Sequence, residues 1–112
     1  MSNSVTARNA LADAIAAGAT WISVHTADPG TTGASEVVGA PYARKQTVWG
    51  AASGGDRLGS QVLVDVPAGG PYTHFGAWSS VSGGTFWSGN TLTPAETFAG
   101  AGILRITPTI DG

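Results

Sequence analysis

The chain has 112 residues, 42% hydrophobic and only 11% charged, with 17 glycines, no cysteine and a formal net charge of −2. This length suits a single domain spanning 1–112 with one core and no metal or disulfide staples, and without cysteine there is no disulfide framework or thiolate metal site. An acidic balance with few scattered cations lacks the basic stripe that phosphate binding needs, and no apolar run reaches membrane-spanning length, so neither nucleic acid nor membrane is an expected partner. Soluble domains are usually about a quarter charged. A surface this neutral, rich in Gly, Ser, Thr and Ala, suits a protein packed against neighbours, because charge is what buried interfaces lose.

The first predicted element is a short amphipathic helix over 4–17. Ala7, Ala10, Leu11, Ala14 and Ile15 recur at helical spacing and define its inward face, with Arg8, Asn9 and Asp13 opposite. Ser2, Asn3 or Ser4 can cap its start, and Gly18 stands where a left-handed C-terminal cap belongs. After Gly18 the period changes from 3.6 to 2, and 20–109 reads as β structure.

Thr20–Thr26 alternates Ile22, Val24 and Thr26 with Trp21, Ser23 and His25. The ADPG tetrapeptide, Ala27–Gly30, fits a turn, since Pro29 presets φ and Gly30 accepts a positive one. It opens a long small-residue excursion to Pro41 that is expected to add little to the core and therefore to serve contact. Tyr42–Trp49 reads as the second strand and Gln61–Val66 as the third, with Val62, Val64 and Val66 on one face and Pro67 as its stop. A turn at Ala68–Pro71 leads to Thr73–Trp78. In that strand alternation allows either Phe75 and Ala77, or Trp78, on the core side. Thr85–Ser88 is a short strand after the turn at Gly83 and Gly84, Leu92 and Thr93 start another, and Ile103–Thr109 closes the chain. The expected architecture is mainly β, an antiparallel β-sandwich or jelly-roll-like barrel with one short N-terminal amphipathic helix.

Three pieces stand out in order and spacing: TADPG followed by GxxEV (Thr26–Val37), YAR followed by WGAASGG (Tyr42–Gly55), and THFGAW (Thr73–Trp78). With the flanking segments from Trp21 to Pro94 they cover about two-thirds of the chain, and together they resemble a family of small phage virion proteins commonly labelled tail fibre or minor virion proteins. The resemblance implies a β-rich virion component without catalysis, made in the host bacterial cytoplasm. A compact unit lacking internal repeats or heptads is similar to capsid decoration (cement) proteins. Such a protein would bind the phage major capsid protein and itself, as a trimer by analogy, on the capsid surface. The alternatives are a tail fibre or tail-tip component and a carbohydrate-binding adhesin.

The expected contact residues are Ser2, Asn3, Arg8, Trp21, Asp28, Pro29, Thr31, Thr32, Glu36, Val37, Val38, Pro41, Arg44 and Trp49. No catalytic, cofactor or metal site is expected. His25 and His74 have no ligand spacing with Asp28 or Asp65. Asp28 and Glu36 in a polar loop are expected to be solvated and not a glycosidase pair, there is no nucleophile elbow, and SGGD and SGGT precede no helix. The four tryptophans, Trp21, Trp49, Trp78 and Trp87, suit core or interface positions. An exposed ring among them is what a sugar-binding adhesin would require.

Overall fold

The computed structural model describes residues 4–111. One helix, α1 (Val5–Gly18), is followed by eight strands: β1 (Trp21–His25), β2 (Lys45–Gln46), β3 (Asp56–Leu58), β4 (Val62–Val66), β5 (Gly69–Trp78), β6 (Phe86–Phe98), β7 (Gly102–Ile106) and β8 (Thr109–Asp111). All pairings are antiparallel. A four-stranded sheet runs β2-β1-β5-β6, and two ribbons pair β4 with β7 and β3 with β8.

The β4–β7 ribbon supplies Val62, Val64, Val66, Leu104 and Ile106 to a core whose other layer is Ile22, Val24, Phe75 and Ala77 of β1 and β5. The expected alternation in β4 holds residue by residue: the three valines are buried, Leu63 is exposed and Asp65 is half-buried. The mainly β, sandwich-like class with one N-terminal helix is therefore the observed one.

The helix starts as expected, with Ser4 Oγ accepting the Ala7 N–H at 3.1 Å. Its inward face is the expected one only at Ile15. Ala12, Ile15 and Ala16 are buried, meeting Ile110 and Trp49, whereas Leu11 is 49% exposed and Ala7, Ala10 and Ala14 face solvent. Arg8 and Asn9 are drawn inward because they serve the β3 turn: Asn9 Oδ1 accepts the Gly55 N–H at 2.8 Å, and Arg8 lies 3.7 Å from Asp56. Replacing Leu11 by alanine is therefore expected to change the unfolding free energy by less than about 0.5 kcal/mol, and Ile15→Ala to cost about 2–5 kcal/mol; urea midpoints separate the two. Gly18 is likewise no left-handed cap. The helix runs through it to an extended Ala19 (φ −140°), and the missing Cβ leaves room for the Trp87 ring.

Four strand boundaries depart from expectation. Only Lys45–Gln46 of Tyr42–Trp49 is strand, the two residues that pair with Ile22 and Trp21 of β1. β5 begins at Gly69, where a turn was expected: Gly69 and Gly70 take φ of 122° and 118° and carry the pairing past Pro71. β6 is one long strand where two short ones were expected. Its register jumps between Tyr72↔Glu96 and His74↔Thr91, and Pro94 sits in that bulge, where no ladder N–H is needed. The closing segment divides at buried Pro108, so that β7 pairs β4 while β8 pairs β3, a strand within what read as loop.

Candidate functional site

The excursion after β1 folds back onto the sheet, contrary to the expectation that it contributes little to the core. The turn at its head forms as anticipated, with Asp28 Oδ1 accepting the Gly30 N–H at 2.9 Å and Gly30 at φ 60°. Pro29 is buried, beside Gly89 of β6. The chain then returns along β1 on the side of β2, beyond the two residues that β2 pairs: Thr26 N–H donates to Ser35 O at 3.1 Å, and Val37 N–H to Val24 O at 2.9 Å. Val37 enters the main core. The remaining edge donor, Val24 N–H, is satisfied by the Tyr42 hydroxyl at 3.1 Å.

The Glu36 carboxylate holds this return in place. Arg44 grips it with two parallel bonds, Nε to Oε2 and Nη2 to Oε1, each 2.8 Å, while Tyr42 O–H donates to Oε2 at 2.6 Å. The third arm of the guanidinium, Nη1, donates to Ser80 O and Gly83 O in the β5–β6 turn at 2.9 and 2.8 Å. Its plane covers the Trp78 ring, with Cζ 3.9 Å from the centroid. Burial alone would raise the Glu36 pKa, but the bonds from Arg44 and Tyr42 bring it below the ordinary value. The Tyr42 hydroxyl is pushed well above its usual range by burial and by the carboxylate beside it.

Behind Arg44 a second chain of bonds closes the face. Trp78 Nε1–H donates to Ser23 Oγ at 2.9 Å, Ser23 Oγ lies 2.6 Å from His25 Nε2, and His25 Nδ1 lies 2.8 Å from Ala34 O. Because the indole can only donate and the Ala34 carbonyl can only accept, the consistent assignment is a neutral His25 with its proton on Nδ1, receiving the Ser23 hydroxyl proton at Nε2. Burial lowers the His25 pKa, outweighing the opposing effects of the Ala34 bond and Glu36. Ser23 and His25 are both 0% exposed. The serine–histidine contact is thus sealed from any substrate, and both imidazole nitrogens are occupied.

That depressed pKa has a measurable consequence. The stability it contributes is complete above about pH 6.5, the unfolded value, and is lost as pH falls below it toward the folded value, because the unfolded chain then binds the proton more readily. The urea midpoint is expected to drop between about pH 7.5 and pH 5.5, and His25→Gln to flatten that drop. Glu36, whose pKa is also lowered, loses its contribution only below the ordinary carboxylate value, which separates the two effects.

The expected contact residues divide accordingly. Pro29, Val37 and Arg44 are buried and Glu36 is half-buried, so these side chains build the loop from within. Asp28, Thr31, Thr32, Val38 and Pro41 form its exposed crest, with Val38 86% exposed. Arg8 serves the β3 turn, Trp21 is half-buried on β1, and Trp49 packs between the two apolar clusters, its Nε1–H donating to Ala19 O at 2.8 Å. Ser2 and Asn3 lie outside the described residues. The Phe75/Trp78 alternative resolves with both faces buried: Phe75 and Ala77 in the main core, Trp78 under the loop. Tyr42, Ser23 and His25 were not anticipated as partners. Only Tyr42 lies within a motif piece, YAR, while Ser23 and His25 precede TADPG; Glu36 of GxxEV, Tyr42 and Arg44 of YAR and Trp78 of THFGAW converge on this one anchor.

A family model described as "Podophage GP4 fiber I protein gp80" matches residues 2–109. The chain belongs to this family. Membership in the gp80 family makes it a phage fibre-type virion protein, in agreement with the resemblance read from the motif pieces. No curated protein and no solved structure matches the chain.

Proposed function

We propose that this gp80-family chain is a non-catalytic building block of a virion fibre, a folded unit whose exposed loop crest contacts neighbouring virion subunits or further copies of itself. The observation that carries this reading is the use made of the motif side chains. Glu36, Tyr42, Arg44, Trp78, Ser23 and His25 satisfy one another in a closed network, and among the described residues no buried side-chain polar atom is left without a partner. Such a network specifies and stiffens a loop; it offers no nucleophile or acid to a substrate. The crest of Asp28, Thr31, Thr32, Val38 and Pro41 is nearly uncharged, as contact surfaces are, and several weak contacts per assembly add through effective concentration.

A second reading, a capsid decoration protein binding the major capsid protein as a symmetric oligomer, draws support from the small extents, 44 × 25 × 23 Å, without a shaft. Gold labelling of purified particles with an antibody to this chain distinguishes the two. A fibre unit is expected as few copies at an appendage; labelling spread over the whole head favours decoration. Absence of the chain from finished particles overturns both.

A further inference from the structure

We propose that the groove between α1 and β2 is a binding site for a neutral saccharide. The groove holds about 450 Å³, within the range of small-ligand sites, and is lined by Asp13, Ala17, Thr20, Gln46, Trp49 and Arg57. Its polar groups are joined to one another and to the backbone by hydrogen bonds. Arg57 donates from Nε to Gly50 O, from Nη2 toward Trp49 O and from Nη1 to Asp13 Oδ1 at 3.1 Å. Gln46 Nε2 donates to Thr20 Oγ1 at 3.0 Å, and its amide oxygen Oε1 takes no bond. The Trp49 ring is held by the Ala19 carbonyl. Ordered neighbours of this kind reduce the entropy lost on binding.

The chemistry of the groove selects its ligand. Two guanidinium N–H groups of Arg57, the second carboxylate oxygen of Asp13, Gln46 Oε1 and the Thr20 hydroxyl remain open among the described residues, a mixture of donors and acceptors. An anion would meet Asp13 and a cation would meet Arg57, while the pair together is neutral. An apolar ligand would strip water from all five groups without replacing it. Neighbouring hydroxyls, each donor and acceptor at once, match the set, and the C–H face of a sugar ring matches the partly exposed indole of Trp49. The inference rests on this lining and is independent of where the chain sits on the particle. Several copies in one assembly would multiply a weak single-site affinity.

The test uses the full chain labelled with ¹⁵N, whose four tryptophan indole signals report separately, titrated with maltose, cellobiose, lactose and diacetylchitobiose, with glucuronate and glucosamine as charged comparators. Saturable movement of the Trp49 indole and Gln46 amide signals by at least one neutral disaccharide is expected, with a dissociation constant on the order of millimolar and weaker response to the charged sugars. Gln46→Ala, an exposed change that leaves the core untouched, is expected to weaken binding at least about tenfold while the remaining spectrum stays folded. No movement with any of the four, movement confined to Trp87, or unchanged binding by Gln46→Ala overturns the proposal.

Discussion

Replacing Arg44 by alanine is expected to lower the unfolding free energy by about 3–5 kcal/mol, the range for removing one partner of a buried ion pair. The side chain is only 6% exposed, and its loss would leave Glu36 with Tyr42 as its sole donor and would free the carbonyls of Ser80 and Gly83. Total stability of a domain is about 5–15 kcal/mol, so this is a large share. Arg44→Lys is not a conservative change here, because a single ammonium can neither grip both carboxylate oxygens in parallel nor lie flat over Trp78. Urea denaturation reads the effect as a lower midpoint with unchanged slope. A loss below about 1 kcal/mol would place the pair with ordinary surface salt bridges.

Gly33→Ala is the second large expected effect. Gly33 sits at φ 78°, where a side chain costs about 1–2 kcal/mol, and a Cβ there would fall within the Trp78 ring and near Phe86. Overpacking of this kind costs about 1–3 kcal/mol more, so a total of roughly 2–5 kcal/mol is expected. The two costs fall on different structures. Backbone strain weakens the loop, whereas the clash pushes the indole away from Ser23 and Arg44 and opens the face of β5. Gly30→Ala is a useful comparison, with φ 60° but open space around its Cβ position, and is expected to cost only the backbone part. Equal losses at the two positions would contradict the packing role assigned to Gly33.

Much of the β core was readable from the sequence because β4 follows the rule that governs such strands: one apolar face, one wet face, valines two apart. The ADPG turn and the Ser4 cap were readable for a similar reason, since each depends on two or three adjacent residues. What sequence reading missed depends on contacts between distant segments. The helix keeps Ile15 inward but turns Ala7, Ala10, Leu11 and Ala14 to solvent, because Arg8 and Asn9 are required by the β3 turn some 46 positions away in the chain, a demand that no local periodicity records. Both faces of β5 are buried around Phe75 and Trp78 because the loop at Gly33 covers Trp78, so alternation could not choose between Phe75 and Trp78. Arg44 read only as a contact residue. Only its convergence with Glu36, Tyr42 and Trp78 makes it the centre of the fold's polar interior.

The same convergence explains how a chain so poor in charge uses the few ionisable groups it has. Glu36 and Arg44 neutralise each other under the loop, and Asp13 pairs with Arg57 at the foot of the helix. The remaining exterior is left largely to small uncharged residues, a surface suited to contact with other virion subunits.

Native-state hydrogen exchange of the loop amides tests most directly whether the motif residues build a closed structural anchor. The Thr26, Gly33, Ala34 and Val37 N–H groups, bonded to Ser35, Pro29, Pro29 and Val24 carbonyls, are expected to exchange as slowly as those of β1 and β5, opening only with the whole domain. Exchange at these four amides at the rate of an unstructured loop, while β1 and β5 stay protected, would contradict the account.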